Sequence, residues 1–253
     1  RRQRQMCIRD RYNAKEIVDQ IKFQLDSFDI SQDVNFKFTG EIEEQDKNQE
    51  FLNTALLMAL MLILLLLVFQ FNSIVKPLII ILSIFLSFIG VFLGLIIFNM
   101  TFVIIMTMLG IISLAGIVVN NSVVLIDYTQ LLLDRKKEEL NVGKDNMLSK
   151  DQIFEAIVSG GKARLRPVIL TAITTILGLI PLAIGLNIDL MSLFSSGNPN
   201  IYVGGDNVIF WGPLAWTVIF GLTFATFLTL VIVPVTFYLS KRAALKIREF
   251  KLN

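Results

Sequence analysis

The sequence contains no histidine, and Cys7 is its only cysteine. The absence of histidine removes the side chain that most often carries protons near neutral pH and that most often binds metals. A single cysteine forms neither an internal disulfide nor a cysteine-based metal cluster. The sequence offers no nucleophile paired with a general base. We therefore expect a protein that is not an enzyme and that holds no cofactor or metal.

Charged residues are also scarce, at 17% of the 253 residues, whereas soluble domains carry about a quarter. The formal net charge of +2 predicts no nucleic-acid partner. Gly160 and Gly161 precede a lysine but lack the spacing of an ATP-binding loop, so nothing supports ATP-driven transport. Hydrophobic residues make up 54% of the chain and occur in long runs, which indicates a membrane protein.

The hydrophobic runs are long enough to cross a bilayer. A helix of about 20 apolar residues spans the hydrocarbon core, and only a helix satisfies the backbone polar groups of an isolated segment in lipid. We predict five transmembrane helices within a bundle at 51–240, and their ranges are 52–71, 77–98, 102–126, 167–186 and 211–239. The predicted fold class is an all-α membrane protein.

The distribution of Lys and Arg predicts the orientation. Basic residues concentrate in the connector 128–162 and in the tail 241–253, whereas the loop 187–210 has none. Because basic loops stay in the cytoplasm, we expect the connector and the C-terminus there and the N-terminal segment outside. Within the connector, apolar spacing predicts a short helix over 151–158, with Ser149 or Asp151 as its N-cap.

The N-terminal part has a different composition from the bundle. Residues 1–11 read RRQRQMCIRDR, which we interpret as a non-native scar, the alternative being a native basic tail. Helical spacing follows over 12–26, and residues 34–39 alternate as a strand does. One helix and one strand are too few for an independent domain. We therefore predict that 12–50 is the α/β remnant of a larger domain outside the membrane.

The candidate functional residues are the polar side chains in or beside the third and fourth predicted spans. Asn120 and Asn121 lie within the third span, where they either join helices by hydrogen bonds or carry a function. Thr171 either reaches Asn120 or donates to its own helix. We interpret Asp127 as an interfacial partner for a basic residue, the alternative being a buried proton carrier. Arg164 belongs at least partly to the basic cluster that anchors the fourth span.

Four blocks of the sequence resemble the last membrane spans of resistance–nodulation–division (RND) permeases, most closely those of the hydrophobe and amphiphile efflux branch. The blocks are FNSIVKPLIIILSIFLSFIGVFLG, GIISLAGIVVNNSVVLIDY, ARLRPVILTAITTILGLIPLA and GPLAWTVIFGLTFATFLTLVIVPVTFY. The resemblance covers 34–241. It implies that the five spans are helices eight to twelve of a twelve-helix permease of the bacterial inner membrane. It also implies that residues 34–39 end the second region of a periplasmic porter domain.

The resemblance further implies a proton-driven secondary active exporter of small amphiphilic compounds, working as a homotrimer with a periplasmic adaptor and an outer-membrane channel. Its proton relay pairs two aspartates on the fourth helix with a lysine on the tenth, assisted by an arginine and a threonine on the eleventh. The motif puts the arginine at Arg164 and the threonine at Thr171, but Asn120 stands where the lysine belongs. We include Asn121 in this coupling set. Asparagine hydrogen-bonds but supplies no positive charge. Three alternatives follow: the relay works through the carboxylates, water, Asn120 and Arg164; a cation from a helix outside this chain takes the place of the lysine; or coupling is altered or lost.

Other branches of the same superfamily are the alternatives. An exporter of lipids or metal ions, or a membrane subunit of protein translocation, has the same bundle. Metal export would usually require carboxylate or methionine pairs in the pore, and we interpret Met100, Met106 and Met108 as core packing. A translocation subunit would carry ionisable residues where this chain has asparagines. We therefore prefer drug efflux.

Overall fold

The structure is a computed structural model. It describes residues 20–21, 23–24, 40–141, 148–189, 194–195, 197 and 200–252. The chain divides into two compact units, Arg1–Phe51 and Leu52–Asn253. In the first unit, the described residues near the predicted first helix are helical. The segment 1–11 and the predicted strand 34–39 lie outside the described residues, so the α/β remnant stays a prediction.

Five long helices account for most of the described residues. They are α1 (Glu41–Phe71), α2 (Val75–Ile97), α3 (Ile104–Glu139), α4 (Lys150–Ile184) and α5 (Asp206–Leu252). Two short antiparallel strands between α4 and α5, β1 (Leu186–Asn187) and β2 (Tyr202–Val203), form a ribbon. All five helices are long and apolar enough to cross a membrane. The prediction of five transmembrane helices is therefore confirmed.

Helices α3 and α4 extend well beyond the predicted spans into the polar connector. Helix α3 continues past residue 126 to Glu139, and α4 begins at Lys150 rather than at residue 167. The apolar run predicts only the part of a helix that lies in lipid, because a helix continues into water wherever its backbone bonds persist. The predicted short helix 151–158 is thus the beginning of α4 rather than a separate element.

The start of α4 is held by a capping box. The Ser149 hydroxyl accepts from the backbone N–H of Gln152 at 3.4 Å, and the Gln152 side chain accepts from the Ser149 N–H at 3.0 Å. This reciprocal pair satisfies two backbone donors that the helix leaves free, so of the two predicted caps, Ser149 and Asp151, the structure has Ser149. Pro167, the first residue of the predicted fourth span, lies instead inside α4. Membrane helices tolerate such internal prolines.

Helix α5 packs against α2, α3 and α4 and forms the centre of the bundle. One apolar cluster includes Val91, Leu114 and Leu222, and a second includes Ile80 and Phe237, all nearly or fully buried. Glycines permit these close contacts: a Cβ at Gly90 or Gly94 would overlap Phe224 or Phe220 of α5. Helix α1 differs from the other helices of the bundle, because only 11% of its most apolar 18-residue stretch is buried.

Candidate functional site

A groove of about 590 Å³ runs between α3 and α4 within their membrane-spanning parts. We call it the α3–α4 groove. Its lining residues are Ser113, Gly116, Ile117, Asn120, Asn121, Thr171, Thr174 and Thr175. Six of these eight residues have polar side chains. Polar side chains that face lipid are costly, so such a lining is typical of a surface that other protein or water covers.

Helical periodicity explains how each side of the groove forms. The lining residues of α3 are spaced by three and four, as are Thr171, Thr174 and Thr175 of α4, so each set occupies one face of its helix. Asn121 is only 8% exposed, because it lies at the buried edge of that face, whereas Asn120 is exposed. The remaining faces of α3 carry buried residues such as Leu114 and Val118.

The three threonines use their hydroxyl protons within α4. Thr171 Oγ1 donates to the carbonyl oxygen of Val168 at 2.9 Å, and Thr175 Oγ1 donates to that of Thr171 at 2.8 Å. Thr174 Oγ1 bonds back in the same way. Of the two alternatives for Thr171, the structure therefore has the bond to its own helix. Its hydroxyl oxygen still accepts hydrogen bonds, and Thr171 and Asn120 line the same groove.

Arg164 lies outside the groove lining, seven residues before Thr171 on α4, which is about 10 Å along the helix axis. Its guanidinium carbon is 4.3 Å from the ring centroid of Tyr128 on α3. The Nε atom of Arg164 is buried and has no hydrogen-bond partner within the described part of the chain. The structure thus brings Asn120, Asn121 and Thr171 together and stacks Arg164 on a tyrosine farther along the two helices.

Asp127 is exposed and lies near a separate polar cluster where α2, α3 and α5 meet. Both Asp127 and Asp134 act electrostatically on Lys76 of α2. Gln130 donates from Nε2 to Asp134 Oδ1 at 2.8 Å and accepts from Lys241 Nζ at 3.3 Å. Asp127 is thus close enough to Lys76 to attract it electrostatically and is not among the residues that line the groove, and its interfacial role stays a prediction.

Sequence reasoning did not identify Tyr128 or the pair Ser83 and Ser122. The two serine hydroxyl oxygens are 3.0 Å apart and join α2 to α3 in the buried bundle. Tyr128 is seven residues after Asn121, which puts it on the face of α3 that continues the groove. This seven-residue spacing is the feature of the sequence from which Tyr128 could have been identified. Within the described residues, no group of three Cys, Asp or Glu side chains is arranged to hold a metal ion.

Comparison with known proteins identifies the family. The sequence model of the AcrB/AcrD/AcrF family matches residues 5–241. The chain belongs to the AcrB/AcrD/AcrF family. The resemblance to RND permeases is thereby confirmed, as is the expectation of a multi-pass membrane protein, since the five helices agree with it.

Individual relatives of this AcrB/AcrD/AcrF family chain support the assignment. Swarming motility protein SwrC of Bacillus subtilis is 32% identical over 225 residues, which is 89% of this chain and 18% of that protein. Multidrug resistance protein MdtC of Erwinia tasmaniensis is 27% identical over 222 residues, 87% of this chain and 19% of that protein. The solved structure of a heavy metal efflux pump is 26% identical with a TM-score of 0.63, over 90% of this chain and 19% of that one.

The AcrB/AcrD/AcrF family chain spans about a fifth of the length of these relatives. Two of them are described as a multidrug resistance protein and an efflux pump. The expectation of a transporter rather than an enzyme is therefore confirmed at the level of the family.

Proposed function

We propose that this chain is the C-terminal membrane part of a proton-driven secondary active exporter in the bacterial inner membrane. The observation that carries the proposal is the α3–α4 groove, whose polar lining is open in this part of the protein. Family membership supports export as the activity. The RND resemblance extends the proposal to small amphiphilic substrates, a homotrimer, a periplasmic adaptor and an outer-membrane channel. The resemblance also extends the proposal to a periplasmic N-terminal segment and a cytoplasmic C-terminus.

The occupant of the groove is a membrane helix from the remainder of the protein. Two asparagines and three threonines line the groove, and together they offer donors and acceptors to a polar helix face. Leaving them to face lipid would be costly. The RND resemblance implies that this helix carries the aspartate pair of the proton relay. Asn120, Asn121 and Thr171 would then bind those carboxyl groups or the water between them.

Arg164 supplies the positive charge in this proposal. A neutral Asn120 does not stabilise an ionised carboxylate by charge, as a lysine there would. The Nε of Arg164 is covered by this chain, but the side chain as a whole is only partly buried, so its terminal N–H groups are available to a carboxylate of the absent helix. Coupling does not require a large energy: one proton crossing 100 mV provides about 2.3 kcal/mol.

The test is dye export by the full-length protein with Arg164→Ala. Arg166→Ala is the matched control, because Arg166 is exposed on the same helix two residues away. We expect the Arg164 variant to insert normally and to lose proton-driven export, and the Arg166 variant to export at the wild-type rate. Undiminished export by the Arg164 variant would remove it from the relay.

A metal ion is the second candidate substrate, and the likeness to a heavy metal efflux pump favours it. The same export assay separates the two candidates if it is repeated with metal-tolerance measurements in cells that express the full-length protein. Dye export without a gain in metal tolerance supports the amphiphile. A gain in metal tolerance without dye export refutes the amphiphile as the substrate.

A further inference from the structure

Beside Arg164, the contact between α3 and α4 is formed by residues that do not belong to the proposed relay. We propose that Tyr128 and Gly160 are positioning residues that hold the guanidinium of Arg164 at its place of action. This proposal rests on the proposed function. It adds two residues of the chain to the machinery, neither of which binds protons or substrate.

Gly160 sets the distance between the two helices. It is buried, and a Cβ atom built on it would lie 2.7 Å from Thr129 Oγ1 and 3.3 Å from Thr129 Cα. Thr129 has little freedom to move away, because it is 4% exposed and its hydroxyl donates to the Leu125 carbonyl oxygen at 2.7 Å. Helices in membranes approach this closely only where one of them carries a very small residue.

The close approach of Gly160 to Thr129 also brings Arg164 next to Tyr128, because of where these residues lie along the two helices. Residue 164 follows residue 160 by one turn and lies on the same face of α4, while Tyr128 directly precedes Thr129 on α3. On the other side, Lys136 of α3 forms an ion pair with Glu155 of α4. The two antiparallel helices are thus joined at three successive levels, and the Arg164–Tyr128 contact is one of them.

The ring of Tyr128 supplies the surface on which the guanidinium rests. Its centroid is 4.3 Å from Arg164 Cζ, within the distance of about 6 Å at which cations and aromatic rings attract each other. Arginine is long and flexible, and near the end of a membrane span it extends to the membrane surface if nothing holds it. Stacking fixes the guanidinium plane and leaves its N–H edge free for a carboxylate. Because Arg164 is only partly buried, that carboxylate binds its terminal N–H groups rather than the buried Nε.

The test compares variants of the full-length protein in proteoliposomes, with a fluorescent dye as substrate and an imposed pH gradient. Tyr128→Phe keeps the ring and should export at the wild-type maximal rate. Tyr128→Leu removes the ring and should lower the maximal rate about 2- to 30-fold, the factor that corresponds to a typical cation–π contact. The half-saturating dye concentration should not change, because Arg164 is not in the substrate site. A Leu variant as active as the Phe variant overturns the proposal.

Gly160 is tested by substitution and relief. Gly160→Ala should lower the maximal rate, and adding Thr129→Ala should restore part of it, because that change removes the nearest obstructing atom. Equal loss in the single and double variants contradicts the assigned role of Gly160.

Two further variants support the test of Tyr128. If Tyr128→Leu does not insert, Tyr128→Met takes its place. A double-mutant cycle of Tyr128→Leu and Arg164→Met in detergent-induced unfolding should also show coupling, and strict additivity contradicts the stack.

The same variants separate this proposal from the proposed function. Normal export by Arg164→Ala refutes the relay and the positioning role together. Lost export by Arg164→Ala combined with normal export by Tyr128→Leu refutes the positioning role alone.

Discussion

Gly116→Leu tests whether the α3–α4 groove is occupied in the complete protein. Gly116 lines the groove, and a Cβ atom built there meets no atom within 4 Å among the described residues. Within this part of the chain, the first atom of the added side chain therefore meets no obstruction. The substitution also removes a glycine from a helix interior, which favours the helix by roughly 0.5–1 kcal/mol.

The leucine is unfavourable instead if another helix fills the groove in the complete protein. Packed helices lie about 8–10 Å apart, which leaves no room for an added leucine side chain at a glycine contact. Overpacking of this kind costs about 1–3 kcal/mol, and the middle of that range exceeds the gain in helix propensity. The midpoints of these ranges give a net cost of about 1.25 kcal/mol, which at about 1.4 kcal/mol per tenfold change corresponds to a reduction of about 8-fold in dye export by the full-length protein, with an upper limit of about 60-fold.

The control is Gly178→Leu on α4. Gly178 is also exposed and open, with nothing within 4 Å of a Cβ, and it does not line the groove itself, although it lies seven residues after Thr171 on the same face of α4, so we expect a smaller loss there than at Gly116. Export should be measured together with the amount of inserted protein, so that loss of protein is not mistaken for loss of function. Wild-type export by Gly116→Leu would refute an occupied groove. Equal losses in both variants would show that the groove has no special role.

Two further predictions concern the fold. Ser149→Ala removes one half of the capping box and should destabilise the first turn of α4 by about 1 kcal/mol, measured as faster amide hydrogen exchange at 150–153 in the full-length protein; unchanged exchange would mean that the cap is not formed. Gly90→Ala forces α2 away from Phe224 and should cost about 1–3 kcal/mol before a helix-propensity gain of roughly 0.5–1, measured as a lower thermal midpoint than that of the control Gly178→Ala. Equal midpoints would show that the α2–α5 contact adapts at no cost.

The membrane spans were predictable because each depends on local composition. An apolar run of sufficient length must be a helix in lipid whatever surrounds it, so five runs predict five helices. The ends of the helices were less predictable. The apolar run says where lipid ends, whereas α3 stops at Glu139 and α4 starts at Lys150 for reasons of backbone bonding and capping. Ser149 was predictable as a cap because a capping box is a local pattern.

The candidate site was predictable in part for the same reason. Spacing alone places Asn120 and Asn121 side by side on α3, and Thr171, Thr174 and Thr175 on one face of α4. Spacing does not say that Thr171 bonds to Val168 instead of Asn120, since both partners suit a hydroxyl. The resemblance indicated Arg164, but nothing along the chain indicated its contact with Tyr128.

The sequence by itself determined that the chain crosses a membrane five times and which residues share a helix face, because both follow from local composition and the helical repeat. Only the tertiary structure decided which faces meet. The rotation and separation of α3 and α4 depend on contacts between residues far apart in the chain, Gly160 with Thr129 and Lys136 with Glu155. Those contacts turn two polar helix faces toward one groove and set the guanidinium of Arg164 against a ring 36 positions earlier.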